Sequence, residues 1–268
     1  MQVALIQHDI AWQDAAATTA RLAPVVARAA AAGARLVVLT EMFATGFSMD
    51  TERIAEPPGG PTERWLVEQA TANDTWLVGS IAQWDPTDPA GRAVNVAVLV
   101  GPGGQAYRYE KMHPFTYAGE HQRFRAGDKP LTVDIDGVRT SIFVCYDLRF
   151  ADDFWALAPE TDCYVVVANW PAARREHWRT LLRARAIENQ AYVVGANRVG
   201  SVPGGSDRPL EHAGDSAIID PLGRVLVEAA QVETTLAADV DPAQVTDVRR
   251  RFPFLADRTA VPARTGRP

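Results

Sequence analysis

Along most of this chain, short unbroken apolar runs alternate with amphipathic stretches. Residues 3–6 and 36–39 are continuous apolar runs, the pattern of strands covered on both faces. Between them, Leu22, Val25, Val26, Ala29 and Ala30 recur at helical spacing, which predicts a helix from about 14 to 32 with Gly33 as its stop. After the loop at 57–61, Thr62 is read as the N-cap of a helix reaching about residue 72. Strands are predicted near 76–81, 94–100 and 105–109, then a hairpin of 131–135 and 138–144 around Asp136-Gly137. A helix over about 148–157, a strand at 164–168 and a helix over about 173–190 follow. Strands near 192–196, 216–219, 224–227 and 234–239 complete the pattern. Strands alternating with helices make the class α/β. Residues 111–129 show no period and read as a long loop, a kind of segment that tends to be functional. No linker or repeat divides the chain, so 1–268 is read as one domain ending in an extended arm from about residue 251.

Composition narrows the field by exclusion. Of 268 residues, 47% are hydrophobic and 22% charged, enough apolar material for a substantial core. The net charge of -6 and the lack of a basic stripe argue against nucleic acid as a partner. No apolar run approaches the roughly 18 to 20 residues of a membrane span. The opening residues lack a signal-peptide pattern, and there are only two cysteines, so a reducing cytoplasm is the expected location. The five histidines form no HxxxH or HxH pair, CxxC is absent, and no glycine-rich loop follows a strand in nucleotide-binding form. Neither a metal nor a cofactor is therefore expected.

Two polar residues stand directly beyond buried strands. Glu41 follows 36–39 and Cys145 follows 138–144. In open α/β sheets, sites form beyond the carboxyl ends of strands. Taken alone, Cys145 reads as a small core hydrophobe. Its place at a strand-to-helix turn suits an exposed nucleophile, with the next backbone N–H able to help bind an oxyanion and a helix N-terminus favouring the thiolate. Cys163, ahead of an apolar strand, reads as core. Apolar neighbours on 42–49 suit Glu41 to proton transfer. Lys111 and Glu120 are unremarkable by themselves. On the helix over 173–190, Trp178, Leu182, Arg185 and Asn189 share one face, so Arg185 is expected in a paired polar network.

Three blocks together resemble the nitrilase superfamily of carbon–nitrogen hydrolases. They are Leu39-Thr40-Glu41-Met42-Phe43, Tyr109-Glu110-Lys111-Met112-His113-Pro114-Phe115 and Cys145-Tyr146-Asp147-Leu148-Arg149-Phe150. Asn169-Trp170-Pro171 and Asn197-Arg198-Val199-Gly200 add to the likeness. Within the superfamily, residues 41–49 and Arg250-Arg251-Phe252-Pro253 look most like the omega-amidase branch, which acts on 2-oxo acid amides. Thr40 stands where proline is common in the family, and Pro114 where leucine is common. The resemblance implies a four-layer αββα sandwich and a homodimer or larger assembly. It also implies a mechanism. Cys145 is the nucleophile, Glu41 the base, Lys111 an oxyanion donor beside the Tyr146 N–H, and Glu120 a second glutamate orienting Lys111 or the substrate. Phe43, Tyr146, Asn169, Trp170, Arg149 and Arg174 are candidate substrate contacts, with Arg175 a further cationic candidate.

Several activities stay open at this stage. A 2-oxo acid amidase leads, and N-carbamoyl amine hydrolysis, another aliphatic amidase or a nitrilase are the alternatives. A catalytically silent binding protein would be expected to lack one of the three signature residues, and all three are present.

Overall fold

A computed structural model of the chain describes residues 1–203 and 209–259. The first sheet contains β1 (Gln2–Gln7), β2 (Leu36–Val38), β3 (Trp76–Trp84), β4 (Ala93–Val100), β5 (Ala106–Glu110), the short β6 (Phe124–Arg125) and β14 (Thr234–Asp239). The second contains β7 (Thr132–Ile135), β8 (Val138–Val144), β9 (Cys163–Ala168), β10 (Tyr192–Asn197), β11 (Val199–Val202), β12 (Leu210–Ile219) and β13 (Val225–Ala230). Each sheet is built on a parallel trio, β1-β2-β3 in one and β10-β9-β8 in the other, with antiparallel strands outside it.

Period-two alternation in the strands divides the core. Val3, Leu5, Leu36, Val38 and Val78 face the second sheet, in one cluster with Phe143, Val165 and Val193. Ala4, Ile6, Val37 and Leu77 face outward, against α1 (Ala15–Ala31) and α3 (Pro61–Ala72). Beyond the second sheet lie α5 (Ala151–Leu157) and α6 (Arg175–Asn189). The layer order is therefore αββα, as the resemblance implied. Gly195 of β10 lets α6 approach closely, because a Cβ there would meet Leu182 at 2.5 Å and Trp178 at 3.0 Å. The short helices are α2 (Thr51–Ile54) and α4 (Glu120–Arg123), and α7 (Pro242–Arg251) closes the chain's last turn of core through Val245.

Several boundaries differ from the sequence reading. The N-cap of α3 is Gly60, not Thr62; the Glu56 carboxylate accepts from the Thr62 amide at 2.7 Å and its hydroxyl at 2.6 Å, doing the capping from outside. The expected loop at 111–129 contains α4 and β6. The expected helix over 148–157 is a 3₁₀ turn, Cys145–Arg149, followed by α5. Of the expected arm, residues 254–257 form a 3₁₀ turn, Arg258 packs 4.4 Å over Trp155, and 260–268 lie outside the described residues. Arg185 meets its expectation. It is buried, donates to the Leu148 carbonyl at 2.7 Å and pairs with Glu188 at 2.7 Å.

Candidate active site

All the strand ends that matter open at one edge of the sandwich. Beyond β2 comes Glu41, beyond β5 Lys111, beyond β8 Cys145, beyond β9 Asn169 and beyond β10 Arg198. Glu120 enters from α4. Both sheets thus contribute, and the seam between them becomes the floor of a pocket of about 680 Å³.

Lys111 is the electrostatic centre. Its Nζ lies 2.8 Å from Glu41 Oε1 and 3.0 and 2.9 Å from the two Glu120 oxygens, all three side chains being buried. Burial opposes the ammonium charge, but Glu120 and Glu41 outweigh it and hold Lys111 firmly protonated. Burial likewise pushes the Glu120 carboxyl up, against the pull of Lys111. Glu41 accepts two further hydrogen bonds. Asn95 Nδ2 donates to Oε1 at 2.9 Å, and the Asn169 backbone N–H donates to Oε2 at 2.9 Å. Asn95 also donates to Glu120 at 3.3 Å, so it spans the two carboxylates.

Cys145 is half-buried and holds a left-handed backbone, φ 48°. A non-glycine residue there stores on the order of 1–3 kcal/mol of strain, which a turn presenting a nucleophile makes use of. The turn is anchored by Asp147, whose buried carboxylate accepts from the Val144 N–H at 3.0 Å, the His113 N–H at 2.9 Å and the Tyr109 hydroxyl at 2.8 Å. These bonds tie the cysteine turn to the segment carrying Lys111. Burial pushes the Cys145 thiol well up, and the Glu41 charge adds to this while Lys111 opposes it. In place of the expected α-helix N-terminus there is a 3₁₀ turn, and burial together with the Glu41 charge favours the thiol form. Cys163 lies in β9, fully buried, as the core reading expected.

The remaining predicted contacts divide. Tyr146, Asn169, Trp170, Arg149 and Arg174 line the pocket with Glu41, Lys111 and Cys145. Arg149 lies 4.8 Å over Trp170 and donates to His177 at 3.0 Å, and Arg174 lies 5.5 Å over Phe115. Phe43 does not reach the pocket. It is wholly buried between β3 and α3, 5.6 Å from Trp65, because the chain turns inward at Met42, φ 38°. Arg175 points away and pairs with Asp215 at 2.7 Å. Sequence reasoning missed Asn95, which bonds both glutamates, and the pocket-lining Arg198, His212, Trp12 and Phe47. Arg198 could have been found by the strand-end rule that picked out Glu41 and Cys145. Among the described residues, no group of three or more His, Cys, Asp and Glu side chains is placed to hold a metal, and no helix is long and apolar enough to cross a membrane.

A carbon-nitrogen hydrolase family model matches residues 2–250. The chain is 38% identical over 259 residues to an omega-amidase, YafV, from Yersinia enterocolitica, covering 96% of each chain. It is 34% identical over 230 residues to a 2-oxoglutaramate amidase from Bacillus subtilis, covering 84% of this chain and 85% of that one. Among solved structures, it superposes with a TM-score of 0.90 on a CN-hydrolase superfamily protein from Xanthomonas campestris, at 34% identity and 98% coverage of both chains; that protein carries an arsenic adduct in its active site.

Proposed function

The chain belongs to the carbon-nitrogen hydrolase family, and from that premise we propose that it is an omega-amidase, hydrolysing the terminal amide of a small 2-oxo acid through a Cys145 thioester. The observation that carries the reading is Lys111 held between two buried carboxylates beside a thiol on a left-handed turn. In this mechanism Glu41 takes the thiol proton as sulfur attacks the amide carbonyl. Lys111 and the Tyr146 N–H hold the resulting oxyanion; one such donor is worth roughly 10²–10³ in rate. Glu41 returns the proton to nitrogen and ammonia leaves. A water then gives its proton to Glu41 and attacks the thioester, releasing the carboxylate; the thiol recovers that proton. Glu120 keeps Lys111 charged and in place.

Charge supports an anionic substrate. Lys111, Arg149, Arg174 and Arg198 line the pocket; among the described residues its one lining carboxylate is Glu41, while Glu120 and Asp9 pair with Lys111 and Arg198, which leaves Arg149 and Arg174 without a carboxylate partner of that kind. Tyr146, Asn169 and Trp170 supply the remaining contacts. We read the enzyme as cytoplasmic, consistent with its two free thiols, and as a homodimer. The apolar side chains that Ile187, Leu222 and Phe252 expose around the end of α6 support pairing.

The test is a substrate panel with mass spectrometry of the protein. Expected are ammonia without carbon dioxide from 2-oxoglutaramate and 2-oxosuccinamate, an acyl adduct on Cys145, and loss of both in Cys145→Ala. Turnover confined to N-carbamoyl compounds or nitriles overturns the substrate assignment, and undiminished turnover in Cys145→Ala overturns the mechanism.

A further inference from the structure

Arg198 does not take part in the mechanism above, yet it has an unusual setting. It follows β10 within Asn197-Arg198-Val199-Gly200, its side chain is 0% exposed, and it lines the pocket. Two of its nitrogens are held from behind: Nη2 donates to Asp9 at 2.5 Å and Nε to the Val199 carbonyl at 3.3 Å. Gly200, φ 94°, makes this grip possible, since a Cβ there would lie 2.3 Å from the Asp9 carboxylate. The third nitrogen, Nη1, is buried and has no hydrogen-bond partner among the described residues.

A buried guanidinium N–H left without an acceptor is costly and such groups are rare, so this one calls for a partner or a role. Nη1 packs near Gly46, where an added Cβ would sit 3.5 Å from it and 3.0 Å from Trp12. Trp12, on the other side of Gly46, lines the pocket together with Arg198. Two further pocket-lining residues carry buried atoms without a hydrogen-bond partner among the described residues, His212 at Nδ1 and Asn169 at Oδ1. Asn169 stands next to Glu41, where an acceptor suits the amide nitrogen. Arg198 lies between β10 and β11, and His212 on β12 pairs with Gly200 of β11; a cationic donor there suits an anion. Arg149 and Arg174 are weaker candidates for this task. Both are half-buried and rest on aromatic faces, in reach of water that screens their charge.

We propose that Arg198 is the specificity-determining residue of this enzyme, presenting Nη1 to the carboxylate at the far end of the substrate while Asp9 holds the guanidinium in place. This rests on the amidase reading above and adds to it a reason why the substrate is an amide of a carboxylic acid and not a simple alkyl amide. A charge-assisted bond in a water-excluded pocket is stronger and more directional than one at a surface. The neutral His212 imidazole is a second partner for the same anion.

The test compares kcat/KM on carboxylated amides (2-oxoglutaramate, glutaramate, succinamate) with that on alkyl amides of matching length (pentanamide, butanamide). Wild type is expected to prefer the carboxylated series. Arg198→Gln should lower kcat/KM on that series by on the order of 100-fold, mostly through KM. Its effect on the alkyl series should be no more than about 3-fold. Arg198→Lys should fall between, and it serves alone should the glutamine variant fail to fold, since its charged-to-neutral ratio must still drop. Equal losses on both series, or no wild-type preference for the carboxylate, overturns the proposal. A wild type that prefers succinamate and glutaramate but ignores 2-oxo acids overturns the 2-oxo assignment and leaves Arg198 in its role.

Discussion

Asn95 shows how one neutral side chain can hold a charged site together. Glu41 and Glu120 share Lys111, and their like charges repel across it. The Asn95 amide donates to both and keeps them side by side. Its replacement in Asn95→Ala is expected to lower kcat by about 10- to 100-fold with a smaller change in KM, by analogy with the loss of a positioning hydrogen bond. Without that donor the Glu120 carboxyl, already pushed up by burial, is pushed further. The acid limb of the kcat profile should then move to higher pH, a shift that a purely structural role would not produce. Asn95 was legible only as a lone polar residue in the apolar run of β4, a signal that says nothing about which carboxylates it meets. Glu41, Lys111 and Cys145 were legible because each follows a strand and stands in a distinctive block. Phe43 misled for the same reason: its neighbours in sequence belong to the site, while its side chain belongs to the core.

Among the elements, α6 rests on the least forgiving contact. Leu182 and Trp178 press on the bare backbone of Gly195. Gly195→Ala is expected to cost about 1–3 kcal/mol of overpacking and to lower Tm by several degrees in a thermal melt. An unchanged Tm would show that α6 can slide to make room. The strands and long helices were readable from periodicity because each buries a full face. α7 was not, since only Val245 and Val248 are buried on it and three arginines crowd its last turn. The helix expected over 148–157 was misread because periodicity is blind to φ. The left-handed Cys145 and the Asp147 anchor impose a 3₁₀ turn before α5 can begin.

The whole molecule carries a pH dependence from its buried imidazoles. Burial and then the Arg198 charge push His212 down to about 3, and burial also lowers His8. Above the ordinary histidine range both states of the chain are neutral at these positions, so nothing is lost. As pH falls from about 6.5 toward 3, the unfolded chain takes up protons that the folded one refuses, and stability declines, by up to roughly 5 kcal/mol for His212. Asp147 works in the opposite sense. Burial lifts its carboxyl to about 6, so its contribution to stability falls as pH rises from about 4 to 6. Melting wild type and His212→Gln in parallel from pH 4 to 8 checks this. The variant should gain on the wild type steadily as the solution is acidified, and a constant difference would rule the imidazole out.

The location of the pocket on the seam has a mechanical consequence. Base, lysine and second glutamate ride on one sheet, while nucleophile, Asn169 and Arg198 ride on the other. The apolar layer around Phe143 and Val165 that joins the sheets is thus also a jig, setting a spacing that catalysis reads to a fraction of an ångström. A shear too small to disturb any strand would uncouple thiol from carboxylate. On gentle heating, turnover should fade while far-ultraviolet circular dichroism is still unchanged, making the reaction rate a finer gauge of how the two sheets are seated than any measure of their content.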